Sequence, residues 1–194
     1  TTAMDALTHA VEAFIGRSNV KSTEDAALKA TKLIFENIEK VYEDGKNIEA
    51  RENMLVASFY AGVAFTRAYV GYVHAIAHNL GGMYGIPHGL ANAVILPYIL
   101  EFFGDSAHHR LAILADVAGI TDGLKTEKEK AEKFIEAIKE LNRKMNIPDK
   151  FEGIKDEDIE LIAKRALKEG NPLYPVPKIM NLEECKAIIK KLQK

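Results

Sequence analysis

Wherever apolar residues recur along this chain, they recur every three or four positions and almost never every second one. That spacing places them on one face of a helix and leaves no half-buried strand to build a sheet from. Residues 3–15 carry apolar side chains at 4, 7, 11, 14 and 15. A second helix is predicted over 21–45, with Leu28, Ile34, Ile38 and Val41 on one face, Ser22 and Asp25 at capping-box spacing, and Gly45 as a stop. Residues 48–69 form a third, rich in small residues (Ala57, Ala61, Gly62, Ala64, Ala68), which predicts a central helix approached closely by its neighbours. After a glycine-rich break, helices are predicted over 88–103, 106–118, 126–147, 156–168 and 181–192, with a proline-rich surface loop at 170–178. The fold class that follows is all-α, a multi-helix bundle.

The chain reads as one all-helical domain over 1–194, the mixed-charge stretch 121–133 being the one place where two subregions could meet. Hydrophobic residues make up 47%, enough for a sizeable core. The net charge of -2, with both signs interleaved, argues against nucleic acid or an acidic membrane as partner. No apolar run approaches the roughly 20 residues of a membrane span. Cys185 is the single cysteine, which excludes a disulfide framework and a thiolate zinc site and suits a reducing cytoplasm. The chain opens on Thr1 within an already helical pattern, so its natural start is expected upstream. No G-x-G-x-x-G follows a strand, and no Walker A sequence is present.

The stretch VHAIAHNLGGMYGIPHGLANAVILP, residues 73–97, holds His74, His78 and His88 on otherwise apolar ground. His74 and His78 lie four apart on one helical face, as do Asp5 and His9 on the first helix. The Gly81-Gly82 break and the Gly85-Ile86-Pro87 turn can fold His88 back toward His74. An Asp/His pair alone is an ordinary surface contact, and a lone His on an apolar face is an ordinary core residue. Four of the six histidines and an Asp in three such stretches are different, because desolvating each separately is costly unless they share partners or a cation. One carboxylate with two or three imidazoles suits zinc, ferrous iron, nickel or manganese. H-E-x-x-H, E-x-x-H and His-Asp signatures are absent, which leaves zincin, ferritin-like di-iron and phosphohydrolase chemistry unsupported. His108 and His109 follow the polar turn GDSAHHR and read as solvated helix-start residues.

MDALTHAVEAF, EARENMLVASFYAGVAF and GYVHAIAHNLGGMYGIPHGLANAVILP together resemble the iron-containing (group III) alcohol dehydrogenases, strongly over residues 1–120 and with GNP at 170–172 as a last echo. The resemblance implies the C-terminal helical half of a two-domain, dehydroquinate synthase-like architecture, its nucleotide-binding α/β domain lying upstream. It places the metal ligands on Asp5, His9, His74 and His88. It makes His78 an additional active-site histidine near the nicotinamide, positioned to relay the alcohol proton, and Phe65 a lining residue of the substrate and nicotinamide pocket. Tyr69, Ile76 and Leu80 are expected beside them as an apolar, water-excluding surround. Fe2+ or Zn2+ would act as Lewis acid for hydride transfer between a small alcohol or aldehyde and NAD or NADP, the nucleotide held mainly by the other domain. A homodimer is the implied assembly, and the isolated helical half is expected to be inactive. Thr2-Ala3 replaces the usual Thr-Gly, and the loop LKEGNPLYPVPK departs from the family pattern. Two other readings fit the residues: a stand-alone metal-binding helical module, and a zinc-dependent relative resembling glycerol dehydrogenase or a dehydroquinate synthase-like lyase.

Overall fold

Nine α-helices make up most of the backbone in the computed structural model, which describes residues 1–194. They are α1 (Thr2–Ile15), α2 (Lys21–Glu43), α3 (Ile48–Ala68), α4 (Tyr72–Tyr84), α5 (His88–Phe103), α6 (Asp105–Val117), α7 (Glu127–Lys144), α8 (Ile159–Gly170) and α9 (Leu182–Leu192), with one 3-10 turn at Asp156–Asp158. No strand forms, and the sole sheet-like bridge ties Phe151 to Gln193. The buried apolar residues make one contiguous core that runs from α1 to α9. No single helix is long and apolar enough to cross a membrane.

The central helix is α1 and not α3. Met4, Ala6, Leu7, Thr8 and Ala10 through Ile15 are all buried, because α1 is flanked by α2, α3, α5 and α6 together. In α3 the small residues Ala57, Ala61, Ala64 and Ala68 form one buried stripe against α1 and α2, while Leu55 is 73% and Phe59 67% exposed. Small residues mark where α3 touches its neighbours; they do not set how many neighbours it has.

Three other sequence expectations change. The α2 start is not capped by Ser22: Thr23 closes the turn, its hydroxyl accepting from the Val20 N–H and donating to the Val20 carbonyl. α4 runs unbroken through Gly81 and Gly82, and the chain turns at Gly85, whose φ of 66° is the left-handed conformation that glycine adopts without strain. The proline-rich segment is pinned down: the Arg17 N–H donates to the Pro175 carbonyl at 2.7 Å, the Arg17 guanidinium donates to the Pro177 carbonyl, and Val176 is buried.

α5 carries Pro97 in its interior. Proline has no N–H, so the Ala93 carbonyl four residues earlier loses its helical partner. Asn142 of α7 supplies the missing donor, its amide reaching the Ala93 carbonyl at 2.7 Å. This bond ties α7 to α5, the helix that begins with His88.

Candidate metal centre

Three helices converge at the cluster. α1 brings Asp5, His9 and Glu12 to one face, one turn apart. α4 begins after Gly71 and brings His74 in its first turn and His78 in its second. The turn through Gly85 ends α4, and α5 begins at His88, with Asn92 one turn on. α1 and α5 approach so closely at Gly89 that an added Cβ would lie 3.0 Å from the Thr1 carbonyl oxygen and 3.3 Å from Asp5 Cβ.

The potential ligand atoms of Asp5, His9, His74 and His88 all lie within 4.8 Å of one another. His9 Nε2 and His74 Nε2 are 3.0 Å apart, and His88 Nε2 is 3.4 Å from Asp5 Oδ1. A tetrahedral ion with bonds of about 2.1 Å holds its ligands about 3.4 Å apart, so the spacing fits a single transition-metal ion.

The hydrogen bonding makes the same point. His74 Nδ1 lies 2.6 Å from Glu12 Oε2, and a carboxylate only accepts, so Nδ1 carries a proton, and in the neutral ring Nε2 presents a lone pair to the cluster. Burial, and then the neighbouring His74, depress the His9 imidazole from its ordinary 6.5 to about 4, against the pull of Asp5 and Glu12. Burial also lowers His88, opposed by Asp5. Burial thus favours the neutral forms of His9 and His88, the forms in which an imidazole can ligate a metal. The Asn92 amide lies 2.7 Å from Asp5 Oδ1 and 3.1 Å from both His74 Nε2 and His88 Nε2. Asn92 Oδ1 itself is buried without a partner. The cluster is short of positive charge, and a divalent cation is the group that its donor set fits.

His78 stands beside this set and outside it. Its ring centroid is 5.4 Å from that of His88 and 5.9 Å from that of His74. Its Nδ1 lies 2.7 Å from Glu169 Oε1, the oxygen that also accepts from the Tyr174 hydroxyl at 2.7 Å. Burial and the Glu169 charge raise the Tyr174 hydroxyl well above its ordinary value, so it remains a donor. His78 and His88 are 45% and 43% exposed, which opens the cluster to solvent on that side. Phe65 stacks on His9 with centroids 4.2 Å apart. Ile76 and Leu80 do not line this opening: they point from the opposite side of α4 into the core. Tyr69 is half exposed at the end of α3, with a φ of 65° that a bulky side chain rarely adopts. His108 and His109 lie apart, paired with Asp105 and Glu127. A groove of about 640 Å³ lies where α1 starts, against α2 and α3, and contains no histidine.

Sequence reasoning missed Glu12, Asn92 and Glu169. Glu12 had a signal, since it follows Asp5 by seven residues and so shares its face. Asn92 had one too, four residues after His88. Glu169 had none, reaching His78 from 91 residues away.

The fold and the cluster define an all-helical domain that gathers one carboxylate and three imidazoles at a single point. Over residues 1–193 the chain matches the family model described as Fe-containing alcohol dehydrogenase family, C-terminal, and it belongs to that family. It is 44% identical over 193 residues to the 1,3-propanediol dehydrogenase of Klebsiella pneumoniae, covering 97% of this chain and 49% of that protein. It is 41% identical over 194 residues to alcohol dehydrogenase 4 of Saccharomyces cerevisiae, covering 98% and 49%. A crystal structure of 1,3-propanediol oxidoreductase superposes with a TM-score of 0.92 at 40% identity, over 98% of this chain and 50% of that one. The chain thus spans about half the length of the relatives it matches.

Proposed function

We propose that this chain is the metal-holding half of a nicotinamide-linked alcohol dehydrogenase that interconverts small aliphatic alcohols and their aldehydes. The observation that carries the reading is the cluster itself: Asp5, His9, His74 and His88 offer four ligand atoms within 4.8 Å, and the Asp5 carboxylate is paired with no Lys or Arg. We assign these four residues as ligands of one Fe2+ or Zn2+ ion. Once bound, that ion supplies Lewis-acid polarisation of an alcohol or carbonyl oxygen. Phe65, stacked on His9, keeps water from one side of the reacting groups. His78 is held through Nδ1 by Glu169, which leaves Nε2 to accept the alcohol proton and pass it to solvent. NAD or NADP would be held mainly by residues outside this chain, and a homodimer is the proposed assembly. Substrate class is supported by what the relatives are named for.

The test uses the full-length protein, stripped with a chelator and reloaded with Fe2+ or Zn2+. The reading expects one metal ion per chain, and oxidation of short primary alcohols with NAD or NADP that disappears on stripping and returns on reloading. Asp5→Ala or His74→Ala should lose the metal while keeping the helical circular dichroism. Stoichiometric metal without turnover on any alcohol or aldehyde would instead indicate a metal-binding module.

A further inference from the structure

Glu12 poses a problem that the ligand set does not solve. It is an acidic residue in the middle of α1, its side chain only 2% exposed, and no Lys or Arg pairs with it. The nearby Arg17 guanidinium is turned away to the Pro177 carbonyl. A buried carboxylate without a cation costs several kcal/mol unless its oxygens are met by donors and its charge is offset nearby. Both oxygens are met. Oε1 accepts from the Val73 N–H at 2.9 Å, one of the unpaired amides at the start of α4. Oε2 accepts from His74 Nδ1 at 2.6 Å. The positive end of the α4 dipole offsets part of the charge. The rest of the charge faces the His74 ring and, beyond it, the His9 imidazole.

A second residue belongs to the same arrangement. Gly71 precedes α4 with φ -142°, a conformation open to any residue, so its lack of a side chain is not a backbone requirement. It is a requirement of space. A Cβ at position 71 would lie 2.7 Å from Glu12 Oε1, 3.3 Å from its Cδ and 3.4 Å from Val176 Cγ1. The carboxylate occupies the volume that any other residue at 71 would fill.

We infer that Glu12 is a positioning residue for the metal centre: seated in the space left by Gly71, its carboxylate fixes the tautomer and plane of His74 so that Nε2 faces the cluster unprotonated. The inference rests on the reading of the cluster as a metal site. A carboxylate behind a ligating imidazole holds the ring in place and strengthens it as a donor. Glu12 does this from α1, the helix that also carries Asp5 and His9. The same side chain joins the start of α4 to α1 through Val73, so ring orientation and helix placement are set together.

The experiment is a Co2+ titration of the full-length protein stripped of metal, read by visible d–d absorption in competition with a chelator. Wild type, His74→Ala, Glu12→Gln and Gly71→Ala are compared. In Glu12→Gln the amide nitrogen must face one of two N–H donors, which breaks the arrangement while keeping its volume. Gly71→Ala alters no ligand and no charge and only displaces the carboxylate. Both should bind Co2+ about 10–100-fold more weakly than wild type and show an altered spectrum at saturation. His74→Ala should lose more. If Glu12→Gln fails to fold, Gly71→Ala decides by the same readout. Wild-type Co2+ affinity and spectrum in Glu12→Gln or Gly71→Ala, with only the thermal midpoint of the metal-free protein lowered, would reduce Glu12 to a structural residue and overturn the inference. Failure of wild type to bind Co2+, or undiminished binding by His74→Ala, would remove the metal reading beneath it.

Discussion

Pro97 and Asn142 should behave as a coupled pair. The Ala93 carbonyl, deprived of a helical N–H by Pro97, accepts instead from the Asn142 amide at 2.7 Å, in a place where Asn142 is 6% exposed. Asn142→Leu removes that donor at nearly constant volume and strands a buried carbonyl, at a cost of about 1–3 kcal/mol. It also removes Asn142 Oδ1, which is buried without a partner, and recovers roughly 1–2 kcal/mol. The single substitution is therefore a small difference of opposed effects, and its own sign decides little. The coupling decides. Pro97→Ala restores the N–H to the Ala93 carbonyl and makes the Asn142 donor redundant. In that background Asn142→Leu should become neutral or stabilising, so the double-mutant cycle should show a coupling of about 1–2 kcal/mol. Urea unfolding followed by helical circular dichroism, on wild type, both single variants and the double variant, measures it. Additivity to within about 0.5 kcal/mol would refute the assignment of Asn142 as the substitute donor.

Three further outcomes can be checked. Gly89→Ala places a methyl 3.0 Å from the Thr1 carbonyl oxygen and 3.3 Å from Asp5 Cβ, so it should cost about 1–3 kcal/mol in thermal or urea unfolding and weaken metal binding by shifting Asp5; unchanged affinity in a chelator competition would show that Asp5 does not depend on this approach. Burial pushes the Cys185 thiol from its ordinary 9.0 up to about 12, so the native protein at pH 8 should react with Ellman's reagent about 10³-fold more slowly than the unfolded chain. The folded thiol keeps a proton that the unfolded one gives up, so this residue's contribution to stability is present below about pH 9 and declines as pH rises toward about 12, and Cys185→Ala should flatten that decline. His78→Ala should keep the metal and slow turnover by about 10²-fold, with the pH profile of kcat altered; an unaltered profile would exclude a proton relay at this position.

Most of the helices were legible because their apolar residues repeat at helical spacing, and α7 and α9 also carry capping residues at their starts, Thr126 with Glu129 and Asn181 with Glu184. What failed depends on neighbours that a linear pattern does not encode. The small residues of α3 revealed a contact stripe but not that its Leu55 and Phe59 side would stay exposed. Gly81 and Gly82 suggested a break, yet each glycine costs an exposed helix only about 1 kcal/mol, and α4 absorbs both. That Asp5, His9, His74 and His88 lie together was legible because charged and imidazole groups on apolar helices are conspicuous. Glu12 was just as conspicuous chemically. It was passed over because its partner, His74, lies 62 residues away and only the fold joins them. Glu169 reaches His78 from the last turn of α8, at the start of the stretch LKEGNPLYPVPK that departs from the family pattern, so neither periodicity nor resemblance pointed to it.

X-ray absorption at the metal edge of the loaded full-length protein tests the central claim most directly. The expected spectrum is that of a single ion with three imidazole nitrogens, recognisable by their multiple scattering, and one carboxylate oxygen at about 2.0–2.2 Å. A sulfur shell near about 2.3 Å, or a coordination sphere with at most one imidazole, would contradict the assignment of Asp5, His9, His74 and His88 as ligands.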